Sequence, residues 1–176
     1  MNRNNQILGK KDIDRILTRM THEILEVHRG ADSLHLIGIH TRGVYLAKRI
    51  KTRIYETEGV SVETGNMDIN LYRDDWTLIS QQPVVKTTDI SFSVDGKQII
   101  LVDDVLFTGR TVRSALDALI DFGRPDRIEL AVLIDRGHRE LPVQADYVGK
   151  SVETRRCETV NVYLSEYDGV DKVIIE

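Results

Sequence analysis

The sequence is poor in the residues that build cross-linked or membrane-spanning proteins. Its 176 residues include one cysteine, Cys157, and three prolines. A lone thiol cannot form a disulfide within the chain, and no Cys or His lies near it at zinc-ligand spacing. No apolar run approaches the roughly 20 residues that span a bilayer, and the first residues lack the apolar stretch of a secretory signal. We therefore expect no membrane association and a cytoplasmic location.

The chain also lacks a strong excess of charge of either sign. It carries 24 Lys and Arg against 28 Asp and Glu, a net charge of −4, which argues against indiscriminate coating of nucleic acid. Residues 1–60 nevertheless carry 11 basic against 7 acidic residues, so one basic face remains possible. The length and the 41% hydrophobic content predict a single domain over residues 1–176 with a real core.

Hydrophobic periodicity predicts strands that alternate with helices. Apolar residues recur at helical spacing over residues 11–29, 43–56 and 111–122. Residues 60–71 look extended in two pieces broken near Gly65, and a polar loop follows over 72–83. Alternation of this kind predicts an α/β fold with an open, mostly parallel twisted sheet flanked by helices. Its strands are expected at 34–39, 84–90, 98–102, 127–135, 146–148, 160–164 and 172–175.

The most informative stretch is an aliphatic run that leads directly into two acidic residues. Ile99–Val102 are followed by Asp103 and Asp104, and then by Thr108-Gly109-Arg110-Thr111 before a helix. Ligands of open α/β sheets bind where the strands end, so the carboxylates are placed to take sugar hydroxyls or, through water, Mg²⁺. Free N–H groups at the start of the helix suit a phosphate. The segment therefore predicts a sugar-phosphate site.

A second strand-to-helix turn, Gly38-Ile39-His40-Thr41-Arg42-Gly43, offers glycines for close backbone approach and a forked donor for phosphate oxygens. The sequence contains neither a Gly-x4-Gly-Lys-Ser/Thr motif nor a Gly-x-Gly-x-x-Gly motif after a strand. A nucleotide triphosphatase or a dinucleotide enzyme is therefore not favoured.

The acidic run resembles the phosphoribosyl pyrophosphate (PRPP) signature of type I phosphoribosyltransferases. The resemblance implies that family's fold with a small hood at residues 132–142, a pyrophosphate loop at 38–43 and a lid whose base includes Tyr72, Arg73 and Asp74. It implies Mg²⁺ bound with PRPP, with Asp103 and Asp104 as candidate ligands, and an oxocarbenium-like transition state stabilised electrostatically. The implied catalytic residues are Asp103, Asp104, Arg42 and Arg73. The implied PRPP and nucleotide site comprises Thr41, Arg42, Asp103, Asp104, Val105, Leu106, Phe107, Thr108, Gly109, Arg110, Thr111, Arg136 and Val160.

Further segments resemble one family more closely. Residues 17–24, 68–75, 136–142, 145–150 and 164–171 are similar to the bifunctional pyrimidine operon attenuation proteins, PyrR. The resemblance implies conversion of uracil and PRPP into UMP and pyrophosphate. It also implies a homodimer or larger homo-oligomer that binds the leader of pyrimidine-gene mRNA when UMP or UTP is bound, promoting transcription termination. A purine phosphoribosyltransferase acting on hypoxanthine or guanine, without an RNA role, is the alternative.

The first helix offers a candidate RNA-binding face. Arg15, Thr18, Arg19 and His22 are spaced three and four residues apart, opposite the apolar stripe. Such a patch can meet phosphates and unpaired bases, although a solvated helix face is the plain alternative. We expect further contacts from His138, Arg139 and Lys150. Gln144 stands where the family often has a basic residue, which predicts one phosphate contact fewer.

Overall fold

The computed structural model describes residues 5–69 and 88–176. The first half of these residues contains three strands and two helices. They are β1 (Gln6–Gly9), α1 (Lys10–His28), β2 (Leu34–Ile39), α2 (Arg42–Glu58) and β3 (Glu63–Met67). The second half continues with β4 (Gln98–Leu106), α3 (Arg110–Asp121), β5 (Arg127–Asp135), β6 (Tyr147–Ser151), β7 (Val160–Tyr163), α4 (Ser165–Asp168) and β8 (Lys172–Ile175). The three helices predicted from periodicity are confirmed to within two residues at each end.

The main sheet contains five parallel strands in the order β3-β2-β4-β5-β6, which confirms the predicted open parallel sheet. Strand β4 does not end at Val102 as predicted. It continues beside β5 to Leu106, while its pairing with β2 stops at Val102. Asp103 and Asp104 therefore lie within a strand, just beyond the last residue of β4 that pairs with β2. The partner strand explains the difference, because β5 continues to pair with β4 beyond the aliphatic run.

A second, antiparallel sheet joins the two ends of the described chain in the order β1-β8-β7. We call it the terminal sheet. Residues 132–142, where the hood is predicted, are the end of β5 and the loop after it. Periodicity also missed β1 and α4, which have only four residues each.

The predicted break near Gly65 is wrong, since β3 runs unbroken through it in parallel register with β2. The glycine serves close approach by another segment. A Cβ there would lie 3.1 Å from Ile90 Cγ1 and 3.2 Å from the Asp89 carbonyl oxygen. Asn66 exchanges two 2.8 Å backbone hydrogen bonds with Asp89. Of the predicted strand at 84–90, residues 84–87 lie outside the described part, and Asp89 forms a single antiparallel bridge.

Both faces of the parallel sheet are covered, as the continuous aliphatic strands predict. Helices α1 and α2, together with the terminal sheet, bury one face, where Leu36, Ile100 and Leu133 are at most 1% exposed. Helix α3 buries the other face, over Leu101 and Val132. These layers do not cover the carboxyl ends of β2 and β4, and the polar side chains of the candidate site lie there.

A buried polar cluster closes the opposite end of the sheet. The Glu129 side chain is 3% exposed, and its Oε2 lies 2.6 Å from His28 Nε2 and accepts a 3.0 Å hydrogen bond from the Tyr147 hydroxyl. His28 Nδ1 is 2.7 Å from Gln98 Oε1. The cluster thereby ties the end of α1 to three strands.

Replacing Glu129 with alanine is expected to lower the free energy of unfolding by about 3–5 kcal/mol, because it leaves buried partners without their carboxylate. Glu63→Ala is the matched control, since Glu63 also pairs with a histidine, His35, at 3.3 Å but is 62% exposed. The control is expected to cost less than about 1 kcal/mol. Urea denaturation at neutral pH measures both changes in the free energy of unfolding. Equal losses in the two variants would contradict the stabilising role assigned to the buried Glu129 cluster.

Candidate active site

The turn before α2 lies against β4 because two glycines allow close backbone approach. A Cβ on Gly43 would lie 2.3 Å from the Val102 carbonyl oxygen, and one on Gly38 would lie 2.4 Å from Val44 Cα. The close approach predicted for these glycines is thus to the protein's own backbone. Thr41 precedes the first residue of α2, and the His40–Thr41 peptide bond is cis. The close approach of Gly43 to Val102 places Arg42 next to the acidic pair.

The two carboxylates on β4 are turned toward their own backbone and strongly desolvated. Asp103 is 6% exposed, and its Oδ1 accepts a 2.9 Å hydrogen bond from the Asp104 N–H. Asp104 Oδ1 accepts one of the same length from the Val105 N–H. Burial, followed by the charge of Asp104, raises the pKa of Asp103 well above its usual range. Burial also raises the pKa of Asp104, and the positive charge of Arg42 opposes that rise.

The turn that follows β4 encloses a cavity of about 340 Å³ lined by residues 105–112. Gly109 has φ of 91°, a left-handed conformation that favours glycine, and α3 begins at the next residue. The predicted turn into a helix N-terminus is therefore present, with the partial positive charge that attracts a phosphate.

The loop after β5 holds this turn in place. The N–H groups of Glu140 and Leu141 donate to the Thr108 carbonyl oxygen at 2.9 and 3.1 Å. The Arg139 guanidinium donates to the Phe107 carbonyl oxygen at 2.9 Å and to the Val143 carbonyl oxygen at 3.0 Å. Arg139 thus supports the candidate phosphate turn, a role that its sequence context did not indicate.

Arg136 packs against the same turn through the ring of Phe107. It is 5% exposed, its guanidinium lies 4.0 Å from the centroid of the Phe107 ring, and it donates to the Arg155 carbonyl oxygen at 3.1 Å. Burial lowers the pKa of Arg136. A desolvated cation stacked on an aromatic ring presents a flat, polarised surface to a planar ligand.

Arg42 is held by a residue that sequence reasoning assigned no role. Asp168 accepts hydrogen bonds from Arg42 Nε at 3.0 Å and from Nη2 at 2.7 Å, and the rings of Tyr163 and Tyr167 flank the guanidinium. These bonds lower the pKa of Asp168. The only sequence signal was that Asp168 lies in a segment that resembles PyrR, because no periodicity connects residues 126 positions apart.

Val160 and the lid are the remaining predicted elements of the site. Val160 is buried in the apolar cluster beneath the terminal sheet. The predicted lid residues Tyr72, Arg73 and Asp74 lie outside the described residues.

The predicted RNA-binding face on α1 is exposed as its spacing indicated. Thr18 and His22 line a groove of about 270 Å³ with Thr21, Thr52, Arg53, Glu56 and Thr57. Arg19 donates to the carbonyl oxygens of Val148 and Gly149 at 2.9 and 2.6 Å, which fixes α1 on β6 beside Lys150. His138 lies instead near the phosphate turn, where its Nε2 is 2.7 Å from the Thr154 carbonyl oxygen.

Comparisons with known proteins decide the family. The model of the phosphoribosyl transferase domain matches residues 4–165. The chain is 58% identical over 170 residues to the bifunctional protein PyrR of Pelotomaculum thermopropionicum, covering 97% of this chain and 94% of that protein. It is 56% identical over 171 residues to the bifunctional protein PyrR of Clostridioides difficile, covering 97% of each. The chain belongs to the PyrR family. The resemblance found in the sequence is thereby confirmed.

Solved structures extend the likeness of this PyrR chain to the fold of the wider domain family. A hypoxanthine phosphoribosyltransferase of Trypanosoma cruzi matches with a TM-score of 0.74 at 16% identity, over 98% of this chain and 95% of the other. One from Staphylococcus aureus matches with a TM-score of 0.70 at 19% identity, over 97% and 93%. At such identities the likeness concerns the fold, and it confirms the predicted type I phosphoribosyltransferase architecture.

The described part of the PyrR chain lacks two features. None of its helices is long and apolar enough to cross a membrane. Residues 5–69 and 88–176 bring together no group of three His, Cys, Asp or Glu side chains that could hold a metal ion.

Proposed function

We propose that this PyrR chain transfers the phosphoribosyl group of PRPP to uracil, forming UMP and pyrophosphate. In its uridine-nucleotide-bound form it binds the leader of pyrimidine-gene mRNA and promotes transcription termination. We place both activities in the cytoplasm. The observation that carries the proposal is the position of Asp103 and Asp104 on the strand that leads into the turn at 108–111, in a chain 58% identical to a bifunctional PyrR protein. The homodimer or larger oligomer implied by the resemblance is part of the proposal.

Substrate binding follows from the chemistry of the two turns. The free N–H groups and hydroxyls of residues 108–111 bind the 5′-phosphate, and Asp103 and Asp104 accept hydrogen bonds from the ribose hydroxyls. The Arg136 guanidinium on Phe107 borders the space for the base. Arg42, at the start of α2, binds the pyrophosphate that leaves ribose C1.

In the proposed reaction, the charged side chains of the site act by stabilising the charges that develop in the transition state. The bond from C1 to the pyrophosphate oxygen breaks, and its electron pair leaves with pyrophosphate while positive charge develops on the ribose. A uracil ring nitrogen bonds to C1 and loses its proton, which the departing pyrophosphate takes up. The carboxylates beneath the ribose stabilise that charge, and Arg42 stabilises the negative charge of the leaving group. We place Arg73 beside Arg42 in the second role, with Tyr72 and Asp74 in a lid that excludes water.

The acidic pair also fits the Mg²⁺ that accompanies PRPP. Mg²⁺ takes oxygen ligands and is usually bound by one or two carboxylates together with substrate phosphates. Asp103 and Asp104 supply such oxygens beside the start of α3. When bound, the ion neutralises charge on the diphosphate.

RNA binding is assigned to the exposed face of α1. Arg15 and Arg19 contact phosphates, Thr18 and His22 contact unpaired bases, and Lys150 extends the face along β6. His138 and Arg139 reach the RNA from the loop after β5. Because Arg139 also holds the phosphate turn through the Phe107 carbonyl oxygen, nucleotide in that turn and RNA on this loop affect the same side chain.

An assay with purified protein tests the proposal. With PRPP and Mg²⁺, uracil is expected to give UMP and pyrophosphate, while hypoxanthine and guanine give far less product. UMP is expected to increase retention of a leader-RNA hairpin on the protein. Preference for a purine would favour the alternative enzyme, and RNA affinity that is independent of nucleotide would contradict the regulatory half.

A further inference from the structure

The segment from Leu164 to Asp171, which we call the C-terminal turn, directs its acidic side chains at two arginines of α2. Asp168 binds Arg42 through both carboxylate oxygens. Glu166 accepts hydrogen bonds from Arg49 Nε at 2.7 Å and Nη2 at 2.6 Å, and Asp171 accepts one from Nη2 at 2.6 Å. The proposed function uses Arg42 and gives no role to the carboxylates that contact these arginines.

The C-terminal turn is fixed by its own hydrogen bonds. The Leu164 N–H donates to Asp168 Oδ2 at 2.9 Å, and the Ser165 N–H donates to Asp171 Oδ1 at 2.9 Å. It stands between β7 and β8 of the terminal sheet. The Asp168 carboxylate is therefore an anchored group, held from both sides, rather than a mobile surface charge.

Within the part of the chain that the structure describes, Arg42 is bound along one edge. Nε and Nη2 are directed to Asp168, and Nη1 has no hydrogen-bond partner within residues 5–69 and 88–176. The guanidinium carbon lies 5.8 Å from the ring centroid of Tyr163 and 5.6 Å from that of Tyr167. Among the described residues, the Nη1 edge of this confined arginine is therefore unoccupied, and the guanidinium lies within electrostatic reach of Asp104.

We propose that Asp168 is a positioning residue that holds the Nε and Nη2 edge of Arg42 and thereby aims Nη1 at the departing pyrophosphate. The inference rests on the proposed function of Arg42. An unrestrained arginine loses rotamer freedom each time it binds an anion, and one already held by a carboxylate loses much less. The opposite role, in which Asp168 competes with pyrophosphate for Arg42, predicts effects of the opposite sign.

The test compares Asp168→Asn with Glu166→Gln, a control that removes a carboxylate of the same turn bound to Arg49 rather than to Arg42. Steady-state kinetics gives KM for PRPP and kcat separately, and calorimetry gives Kd for inorganic pyrophosphate. Asp168→Asn is expected to weaken pyrophosphate binding and to lower kcat/KM for PRPP, each by about tenfold. Glu166→Gln is expected to change both by less than about twofold.

A double-mutant cycle identifies the residue through which Asp168 acts. In an Arg42→Lys background, Asp168→Asn is expected to cause almost no further loss, since lysine lacks the forked edge. Asp168→Glu keeps the carboxylate and is expected to lose about threefold, which gives a second measurement if the asparagine variant does not fold.

Four results would overturn the inference: unchanged pyrophosphate binding in Asp168→Asn, tighter binding as a competitor predicts, losses matched by Glu166→Gln, or undiminished loss in the Arg42→Lys background. Failure of the wild-type protein to make UMP would instead contradict the proposed function. Pyrophosphate binding, measured without turnover, keeps these two failures distinct.

Discussion

Replacing Asp103 and Asp104 together with asparagine is expected to lower kcat/KM for UMP formation by about a thousandfold or more. Removing a single preorganised electrostatic group from an active site costs about a hundred- to a thousandfold in rate. The double variant loses both charges beside the candidate phosphate turn. Asparagine nearly preserves the shape of each side chain, so the loss reports on charge rather than packing.

The same double variant is expected to be more stable than the wild-type protein at neutral pH. Burial and the neighbouring carboxylate raise the pKa of Asp103 in the folded state. The folded protein therefore binds this proton more readily than the unfolded chain, and wild-type stability falls as pH rises above about 4, the usual aspartate pKa. The variant lacks this loss, and each pKa unit of the shift corresponds to about 1.4 kcal/mol.

Urea denaturation between acid and neutral pH, together with the UMP assay, measures the two effects. Asp117→Asn is the matched control, because Asp117 is an exposed carboxylate paired with Arg113 on α3. It is expected to change neither rate nor stability appreciably. A double variant that keeps its activity, or that is less stable than wild type at pH 7, would contradict the role assigned to the acidic pair.

Replacing His22 with alanine is expected to weaken UMP-dependent binding of leader RNA by about tenfold while leaving UMP formation unchanged. His22 is exposed on α1 and lines the groove with Thr18, away from the residues that line the crevice. Stacking of an unpaired base on an aromatic side chain is worth about 1–3 kcal/mol by alanine substitution, which corresponds to a change of about tenfold. His22 is a cleaner probe than Arg19, which also fixes α1 to β6.

Arg15→Gln extends this test to the phosphate contacts. It is expected to reduce the slope of log affinity against log salt by about 0.7, the value for one phosphate contact on single-stranded nucleic acid. Arg124→Gln removes the same charge from the loop before β5 and serves as the control. An unchanged slope for Arg15→Gln, or an equal change in both variants, would contradict the assignment of RNA binding to α1.

Local signals predicted the parts of the fold that depend on local sequence. The helix of α1 follows from a continuous apolar stripe, and β4 and β5 follow from aliphatic runs that both faces of a parallel sheet bury. The acidic pair and the turn at 108–111 were found because they are consecutive in the chain. Within a βα unit, consecutive residues are also neighbours in space.

The features that sequence reasoning missed depend on long-range pairing. Strand β1 exists because β8, more than 160 residues later, pairs with it. The extension of β4 through Asp103 follows from the length of β5, and Gly65 serves a crossing segment rather than a turn. The pairing of Asp168 with Arg42 depends on the terminal sheet, which places the C-terminal turn against α2. The sequence alone does not indicate this contact.

The central claim is that Asp103, Asp104 and the turn at 108–111 bind a ribose and its 5′-phosphate together. A crystal structure of the protein with UMP tests it most directly. We expect the 5′-phosphate within about 3 Å of backbone N–H groups at residues 108–111, and the ribose hydroxyls on Asp103 and Asp104. A nucleotide bound elsewhere, with this crevice empty, would contradict both the proposed enzyme and the proposed nucleotide-dependent regulator.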